Sequence, residues 1–561
     1  MLPDMLAEAR PRIEDGTFPE FWKQLNRIAG CTRPIRLSGH INHVDTATGE
    51  IRPHFDSATK PDGTILIPCG NRRASVCPSC SWTYAGDAWQ IVHAGLAGGR
   101  DVPDSVTDHP GLFVTVTAPS FGQVHTRNAA KGQPARTCHR RRGLCPHGNP
   151  IGCLRTHRDE DDPMLGQALC LACYDFAGAV LWNATAPRLF KRTVDLAYRR
   201  LAAHVGLPIL GYTRRDGTRR IGVRDLVRIS YVKVAEGQAR CLIHYHAVLR
   251  LDGVDRDDPD AWPEPPTWAT GKLLASCWRW AVDRAREPCP NPAGAGQNDA
   301  RWGEQHDEKY LVVAGGAELD DHTALAGRLD AGTVGNYLAK YVTKDLGAGS
   351  ALARPIRSTA DLFGVLPYLT PHQAAMVQTA WDLGGRLHVE GLRLRHTATK
   401  DLGGGALDRP IQTTADLHAA LASLTPRQAA KAQSAWNLGE RLHVTGLRLR
   451  ANAHQYGFRG HWLTKSRRYS TTFGACRQAR RDWARTHDGA GNPRTPLDAW
   501  NRPLEDDTGD EVIAIGDWTF EGAGYRLPGD AQLAAMAADL ARIQREAARD
   551  AAREARAAAH A

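Results

Sequence analysis

No apolar run in this chain approaches the ~20 residues that a membrane span requires. The N-terminal stretch MLPDMLAEARPRIEDGTF is charged throughout and lacks an apolar signal core. The expectation is a cytoplasmic protein with no membrane partner. No Gly-x-x-x-x-Gly-Lys-Ser/Thr loop occurs, so the backbone cradle with which P-loop enzymes hold nucleotide phosphates is missing. ATP hydrolysis of that kind is excluded. Acidic residues are the scarcer charge, 61 Asp and Glu against 71 Lys and Arg, which leaves a net charge of +10. That balance favours a polyanionic partner without requiring one. The 561 residues suffice for about two to four domains.

Cysteine, by contrast, is plentiful: there are 13, and nine of them fall between positions 31 and 173. A reducing compartment disfavours disulfides, so spacing matters more than number. The stretch CGNRRASVCPSC holds Cys69, Cys77 and Cys80 and ends in Cys-x-x-Cys; Cys31 can supply a fourth thiolate. A second group contains Cys138, Cys145 and Cys153, then Cys170 and Cys173 in LCLACYD, with His139, His147 and His157 nearby. Zinc takes four thiolate or imidazole ligands in structural sites, and a Cys-x-x-Cys turn presents two of them to one ion. Five thiols compete for four places here. The preferred set is Cys145, Cys153, Cys170 and Cys173, with Cys138 as the substitute. One or two zinc ions are expected, as folding staples rather than catalysts, because closed sulfur-rich sites leave no open position. Redox dithiols or separately buried thiols are the plainer reading.

Residues 111–122, GLFVTVTAPSFG, read as a strand with Thr115 and Thr117 on one face. The stretch DLVRISYVKVAEGQARCLIHYHAVLRL reads as a hairpin turning through Glu236-Gly237-Gln238. On its second strand, Ile243, Tyr245, Ala247, Leu249 and Leu251 form an apolar face. The opposite face sets His244 and His246 side by side. Two imidazoles so placed are either satisfied histidines or ligands of a divalent metal, with a carboxylate or amide completing the set. WGEQHDE offers Glu304, Gln305, His306 and Asp307 for that third place. Residues 175–203 and 270–286 have helical periodicity and would cover one sheet face. In TVGNYLAKYVTKDLG, Tyr337 and Tyr341 share a helix face, and Lys340 and Lys344 follow each by three. Alone, that pattern describes an amphipathic helix with core tyrosines equally well.

The ordered set FVTVT, HYH and YLAKYVTK resembles the HUH endonucleases of rolling-circle replication, with a two-tyrosine helix. Over most of its length the chain is similar to the actinomycete plasmid replication initiators of the RepSA type. The stretches CGNRRASVCPSC, TVTAPSFGQVH, LCLACYDF, HYHAVLRLDG, YLAKYVTKDLG and YGFRGHWLTKSRRYSTTFG carry the resemblance. It implies a site-specific DNA nickase and strand transferase. His244 and His246 would hold Mg²⁺ or Mn²⁺. Tyr341 or Tyr337 would join the 5′ phosphate of the nicked strand, and Lys340 or Lys344 would steady the phosphate or lower the phenol pKa. The partners implied are plasmid origin DNA, single-stranded at the nick, and a host helicase and polymerase. A single-strand transposase, or a zinc-dependent DNA-binding regulator without catalysis, are the alternatives.

Residues 354–395 are repeated at 409–450, in a tandem duplication that copied the segment after the tyrosines but not the tyrosines. Each copy reads as a helix starting at Thr-Pro and running through Trp381 or Trp436. Further on, Arg459, Lys465, Arg467, Arg468 and Tyr469 lie in a basic, aromatic stretch suited to phosphate contact and base stacking. The fold expected is α+β: an antiparallel sheet with helices on one face, zinc-stapled segments and a helical C-terminal region. The divisions expected are 1–107, 108–345 with a zinc insertion at 138–173, 346–452, 453–487 for DNA, a linker at 488–529 and an Ala/Arg-rich helix at 530–561.

Overall fold

The computed structural model describes residues 2–46, 48–129, 133–290, 297–311, 330–344, 351–386, 449–487 and 512–560, with positions 447 and 493. In chain order its elements are α1 (Leu2–Glu14), α2 (Phe18–Arg27), β1 (Ile35–Asp45), β2 (Ile51–Asp56), β3 (Ile65–Ile67), α3 (Pro78–Ala97), β4 (Gly111–Val116) and α4 (Phe176–Val205). There follow β5 (Tyr212–Thr213), β6 (Arg219–Arg220), β7 (Val227–Gly237), β8 (Ile243–Gly253), α5 (Gly271–Arg284), β9 (Glu287–Pro290), β10 (Gln297–Ala300) and β11 (His306–Tyr310). The last are α6 (Ala331–Val342), α7 (Thr359–Val365), α8 (Pro371–Arg386), β12 (Leu463–Lys465), α9 (Phe473–Thr486), β13 (Val512–Ala523) and α10 (Pro528–His560). The chain forms two compact units, neither continuous in sequence: Met1–Gly95 with Gly335–Asp345 and Ser470–Ala561, and Leu96–Val334 with Leu346–Tyr469. Among the described residues no helix is long and apolar enough to cross a membrane.

The second unit is built on a five-stranded antiparallel sheet in the order β11-β4-β8-β7-β12. Its central strand β8 buries Ile243, Tyr245, Ala247, Leu249 and Leu251 almost completely, as the alternation requires. Phe190 of α4 and Trp278 of α5 pack their rings together, and Phe190 also meets Tyr231 and Tyr245. Burial of each such side chain contributes about 1.5–3 kcal/mol. Helix α4 starts where the Asp175 carboxylate accepts from the Gly178 N–H and stops at Gly206, whose φ of 68° ends the helix in the left-handed region. The two helices expected to cover the sheet are thus in place.

The hairpin turn differs from the sequence reading. β7 runs on to Gly237, and a five-residue connection, 238–242, leads to β8. Cys241 there adopts a left-handed φ of 61°. Glu236 is therefore not a turn residue; it sits directly opposite His244 in the ladder. The stretch expected to bind DNA, 453–487, is divided. Its β12 pairs with β7 as an edge strand of this sheet, and its α9 belongs to the first unit. In the first repeat copy α8 begins at Pro371, as read from Thr-Pro, and Thr370 and Gln373 cap each other reciprocally. The segment that follows Arg386 in that copy, and nearly all of the second copy, lie outside the described residues.

In the first unit β1 is flanked by β13 on one edge and by β2 and β3 on the other. Residues 512–523, within the expected linker, pair along the whole of β1, from Ile35↔Ala523 to Asp45↔Val512. A long strand partner, distant in sequence, decides this; local Gly and Asp content does not. The C-terminal helix is also more than an exposed tail. Leu533, Ala534 and Ala537 of α10 join Ala9, Phe21, Leu25 and Ile28 in a core that surrounds Cys31, Cys77 and Cys80. Gly30 makes this approach possible, since a Cβ there would lie 2.4 Å from the Ala534 carbonyl oxygen. The buried Arg12 guanidinium bridges Asp530 of α10 and Asp62, both at 2.7 Å.

Candidate active site

β8 presents His244 and His246 on the sheet face opposite Tyr245. Cross-strand register brings Glu236 of β7 opposite His244, and Thr115 of β4 opposite His246. The imidazoles lie 4.5 Å apart, and the ligand atoms of Glu236, His244 and His246 all lie within 4.8 Å of one another. Thr115 Oγ1 is 3.0 Å from His246 Nδ1, while Nε2 points at the Glu236 carboxylate 3.1 Å away. With its Nδ1–H donated to this hydroxyl, His246 would offer Nε2 to a metal, the usual support of a ligating histidine. The Gln238 amide is 3.1 Å from His244 Nδ1, and the Phe113 ring stacks against His246. Two imidazoles and one carboxylate suit a divalent ion that accepts both nitrogen and oxygen, with positions left open.

The carboxylate that joins the two histidines is Glu236, which the sequence reading missed. Glu304, Gln305, His306 and Asp307 do not join this group. The missing signal was turn length. A turn through 236–238 removes Glu236 from the ladder, whereas a connection at 238–242 puts it on the face of His244.

Tyr337 and Tyr341 are on α6, in the part of that helix that belongs to the first unit. Their rings are 4.5 Å apart, as i, i+4 spacing requires, and Tyr337 is 38 % exposed. Val334, Leu338 and Val342 are buried on the adjoining stripe of the helix, while Tyr337 is exposed and Tyr341 only half-buried, so neither tyrosine is a core residue of the plain amphipathic kind. Lys340 and Lys344 place their ammonium groups 5.8 and 5.4 Å from the Tyr341 ring. Within this unit Arg72, from the Cys69–Cys80 loop, donates to the carbonyls of Val342 and Lys344 at 2.8 and 2.9 Å. Gly335 meets the Trp89 indole so closely that a Cβ would lie 2.8 Å from it.

Of the residues expected to contact DNA, Arg459 and Arg467 are exposed. Tyr469 is completely buried, and burial holds its phenol above the ordinary value, so it cannot stack on a base. Arg250 lies over its ring. Lys465 is half-buried in β12 and donates to the carbonyl of Arg467, and Arg468 is paired with Asp260. Burial of the Tyr469 ring, the carbonyl contact of Lys465 and the ion pair of Arg468, all invisible to a composition count, account for three of the five.

The cysteines group as follows. Cys31, Cys69, Cys77 and Cys80 converge, with Cys31 and Cys77 sulfurs 3.8 Å apart. Hydrogen bonding from Cys31 above all holds the Cys69 thiol down to about 7. The expected second set is corrected: Cys153 does not meet Cys145, Cys170 and Cys173, whose fourth partner is His147. Cys153 instead joins Cys138, His125 and His157. Chain spacing could not show this, because the backbone between Cys145 and Cys153 doubles back and carries Cys153 to His139.

Comparison with known proteins places the chain. A family model described as "Replication initiator protein, pSAM2" (RepSA) matches residues 17–403 and 397–539, so that each repeat copy falls in a separate match. A replication initiator protein of Streptomyces ambofaciens is 35 % identical over 536 residues, covering 95 % of this chain and 92 % of that one. No solved structure matches the chain. The chain is a replication initiator by class. Within that class it belongs to the RepSA family.

Proposed function

We propose that the protein nicks one strand of plasmid origin DNA through a 5′-phosphotyrosine intermediate and so starts rolling-circle replication, on an HUH-type sheet. The convergence of Glu236, His244 and His246 on one face of the sheet carries this reading. These three would hold Mg²⁺ or Mn²⁺, which when bound draws charge from the scissile phosphate. Thr115 keeps the His246 ring in register. The phenol oxygen of Tyr341 or Tyr337 attacks phosphorus. The bond to the 3′ oxygen breaks, and that oxygen takes up a proton to become the 3′ hydroxyl that primes synthesis. A phenol has an ordinary pKa of about 10, so nearby cations help its oxygen act as a nucleophile. Lys340 and Lys344 supply them. The second phenol would take the second transfer, which closes the displaced circle.

Arg459 and Arg467 are assigned to phosphate contact beside the nick. Unwinding and extension fall to a host helicase and polymerase. The Cys31–Cys80 group would hold structural zinc.

The test uses a single-stranded origin oligonucleotide labelled near its 3′ end, with Mn²⁺, on a denaturing protein gel. Wild type should retain label. His246→Ala, and Tyr337→Phe with Tyr341→Phe together, should lose it. DNA retardation without covalent label in the wild type would overturn the nickase reading in favour of a DNA-binding regulator.

A further inference from the structure

The segment from Gln123 to Cys173 has almost nothing to fold around. Its buried residues, among those described, are Cys138, Cys153, His157, Gly166 and Cys170. Its leucines at 144, 154 and 171 are exposed. Among its described residues there is no regular strand, only isolated bridges such as Val124↔Ala168, His139↔Cys153 and Leu144↔Pro150. About fifty residues without an apolar core do not offset their conformational entropy unless something else ties them.

Two groups of side chains converge within it. His125, Cys138, Cys153 and His157 form one, and Cys145, His147, Cys170 and Cys173 the other, each with ligand atoms inside 4.8 Å. Ligands of a tetrahedral zinc lie ~3.3–3.8 Å from one another. Cys153 Sγ is 3.7 Å from His157 Nε2, and Cys173 Sγ is 3.2 Å from His147 Nδ1.

The surroundings of the first group are those of a ligand set. His157 Nδ1 lies 2.7 Å from the Asp162 carboxylate, which turns Nε2 inward. The Thr126 N–H donates to Cys138 Sγ at 3.2 Å, and the His139 ring nitrogen lies 3.0 Å from the same sulfur. The buried Nδ1 of His125 has no hydrogen-bond partner among the described residues. In the second group Asn149 Nδ2 donates to Cys170 Sγ at 3.2 Å. The sulfurs thus accept hydrogen bonds, as thiolates do.

We propose that residues 123–173 form a module held by two zinc ions, one on His125, Cys138, Cys153 and His157 and one on Cys145, His147, Cys170 and Cys173, with the ions in place of a hydrophobic core. All nine cysteines between Cys31 and Cys173 then have a place, four of them at the separate Cys31–Cys80 group. Cys241, Cys277, Cys289 and Cys476 are ordinary buried thiols.

Native mass spectrometry of the full chain tests this. Three zinc ions should be bound, one for each cysteine-bearing group. Cys153→Ser and Cys173→Ser should each remove one ion, and different ones, so the double variant keeps only one. A Cys153→Ser chain that still binds three, or a double variant that keeps two, would overturn the proposal. Asp162→Asn guards against misfolding, because it keeps every ligand. It should make one ion about 10–100-fold easier to chelate. Unchanged release of all three would count against the first site. In chelated wild type, limited proteolysis should cut first between 123 and 173; protection of that segment without metal would overturn its dependence on zinc.

Discussion

Asn183 of α4 holds the entrance to the histidine strand: its Nδ2 donates to the Cys241 carbonyl at 2.9 Å, and its Oδ1 accepts from the Ile243 N–H at 3.0 Å. The same Nδ2 also donates to the Tyr456 carbonyl. Asn183 is completely buried, so these groups have no water to turn to. Asn183→Leu should cost about 2–4 kcal/mol, since it strands at least two buried backbone groups. Urea denaturation reads the loss. Weaker Mn²⁺ binding should accompany it, because His244 directly follows the released residue. Unchanged stability would show that the strand is held elsewhere.

Glu236 and Thr115 separate a proposed metal ligand from its support. Glu236→Gln removes a charged oxygen from the group, and Thr115→Val removes the partner of His246 Nδ1. Mn²⁺ affinity by titration calorimetry should fall ~100-fold for the first and ~10-fold for the second. Equal, unchanged affinities would mean that the histidines are structural.

Arg72 ties the Cys69–Cys80 loop to the end of the tyrosine helix through the carbonyls of Val342 and Lys344. The last carbonyls of a helix have no partner of their own, and a buried guanidinium satisfies them. Arg72→Ala should lower covalent capture of origin DNA by ~10-fold or more, since small misplacements of reacting groups are costly. DNA retardation and zinc content should hold. A parallel loss of zinc would mean that Arg72 supports the loop rather than the helix.

Lys233 is buried between the rings of Phe190 and Tyr245, and burial pushes its ammonium down to about 7. Above that value it is neutral in the folded chain, while the unfolded chain stays protonated until about 10.5. The unfolded state therefore binds more protons between these values, and stability rises with pH there by up to about 1.4 kcal/mol per unit. Below pH 7 the contribution is constant and unfavourable. Lys233→Met should flatten the slope of denaturation free energy between pH 7 and pH 10 and stabilise the chain most at and below pH 7. A slope unchanged by the substitution would place the titration in another group.

Tyr469 and Arg467 stand two residues apart and should behave oppositely. Tyr469→Ala empties a buried site and should destabilise by about 3–5 kcal/mol. Arg467→Ala should leave stability alone and reduce the salt dependence of origin binding by about one phosphate contact. A Tyr469→Leu variant that binds DNA less tightly at full stability would restore the stacking role.

Where a feature depends on neighbours in sequence, the chain displayed it. The alternation of β8 fixed which residues face the helices, and the four-residue spacing of Tyr337 and Tyr341 fixed that they share a face. The Thr-Pro before α8 located a helix start. The Cys-x-x-Cys turns located loops whose cysteines converge into groups that could hold a metal, because adjacent turns bring their own sulfurs together.

Features set by long-range convergence were not displayed. β13 was concealed because its partner β1 lies more than 450 positions earlier. Glu236 was concealed by a connection two residues longer than the compact turn expected, which returns it to the ladder opposite His244. Tyr469 looked like a stacking platform until the sheet closed over it. Residue types and local periods determine which side chains are able to bind metal, attack phosphorus or fill a core. Which of them meet, Cys153 with His125 rather than Cys145, or Thr115 with His246, is decided by backbone pairing between distant segments. Hydrogen bonds and burial select that pairing over the whole fold, and no short window of sequence contains both partners.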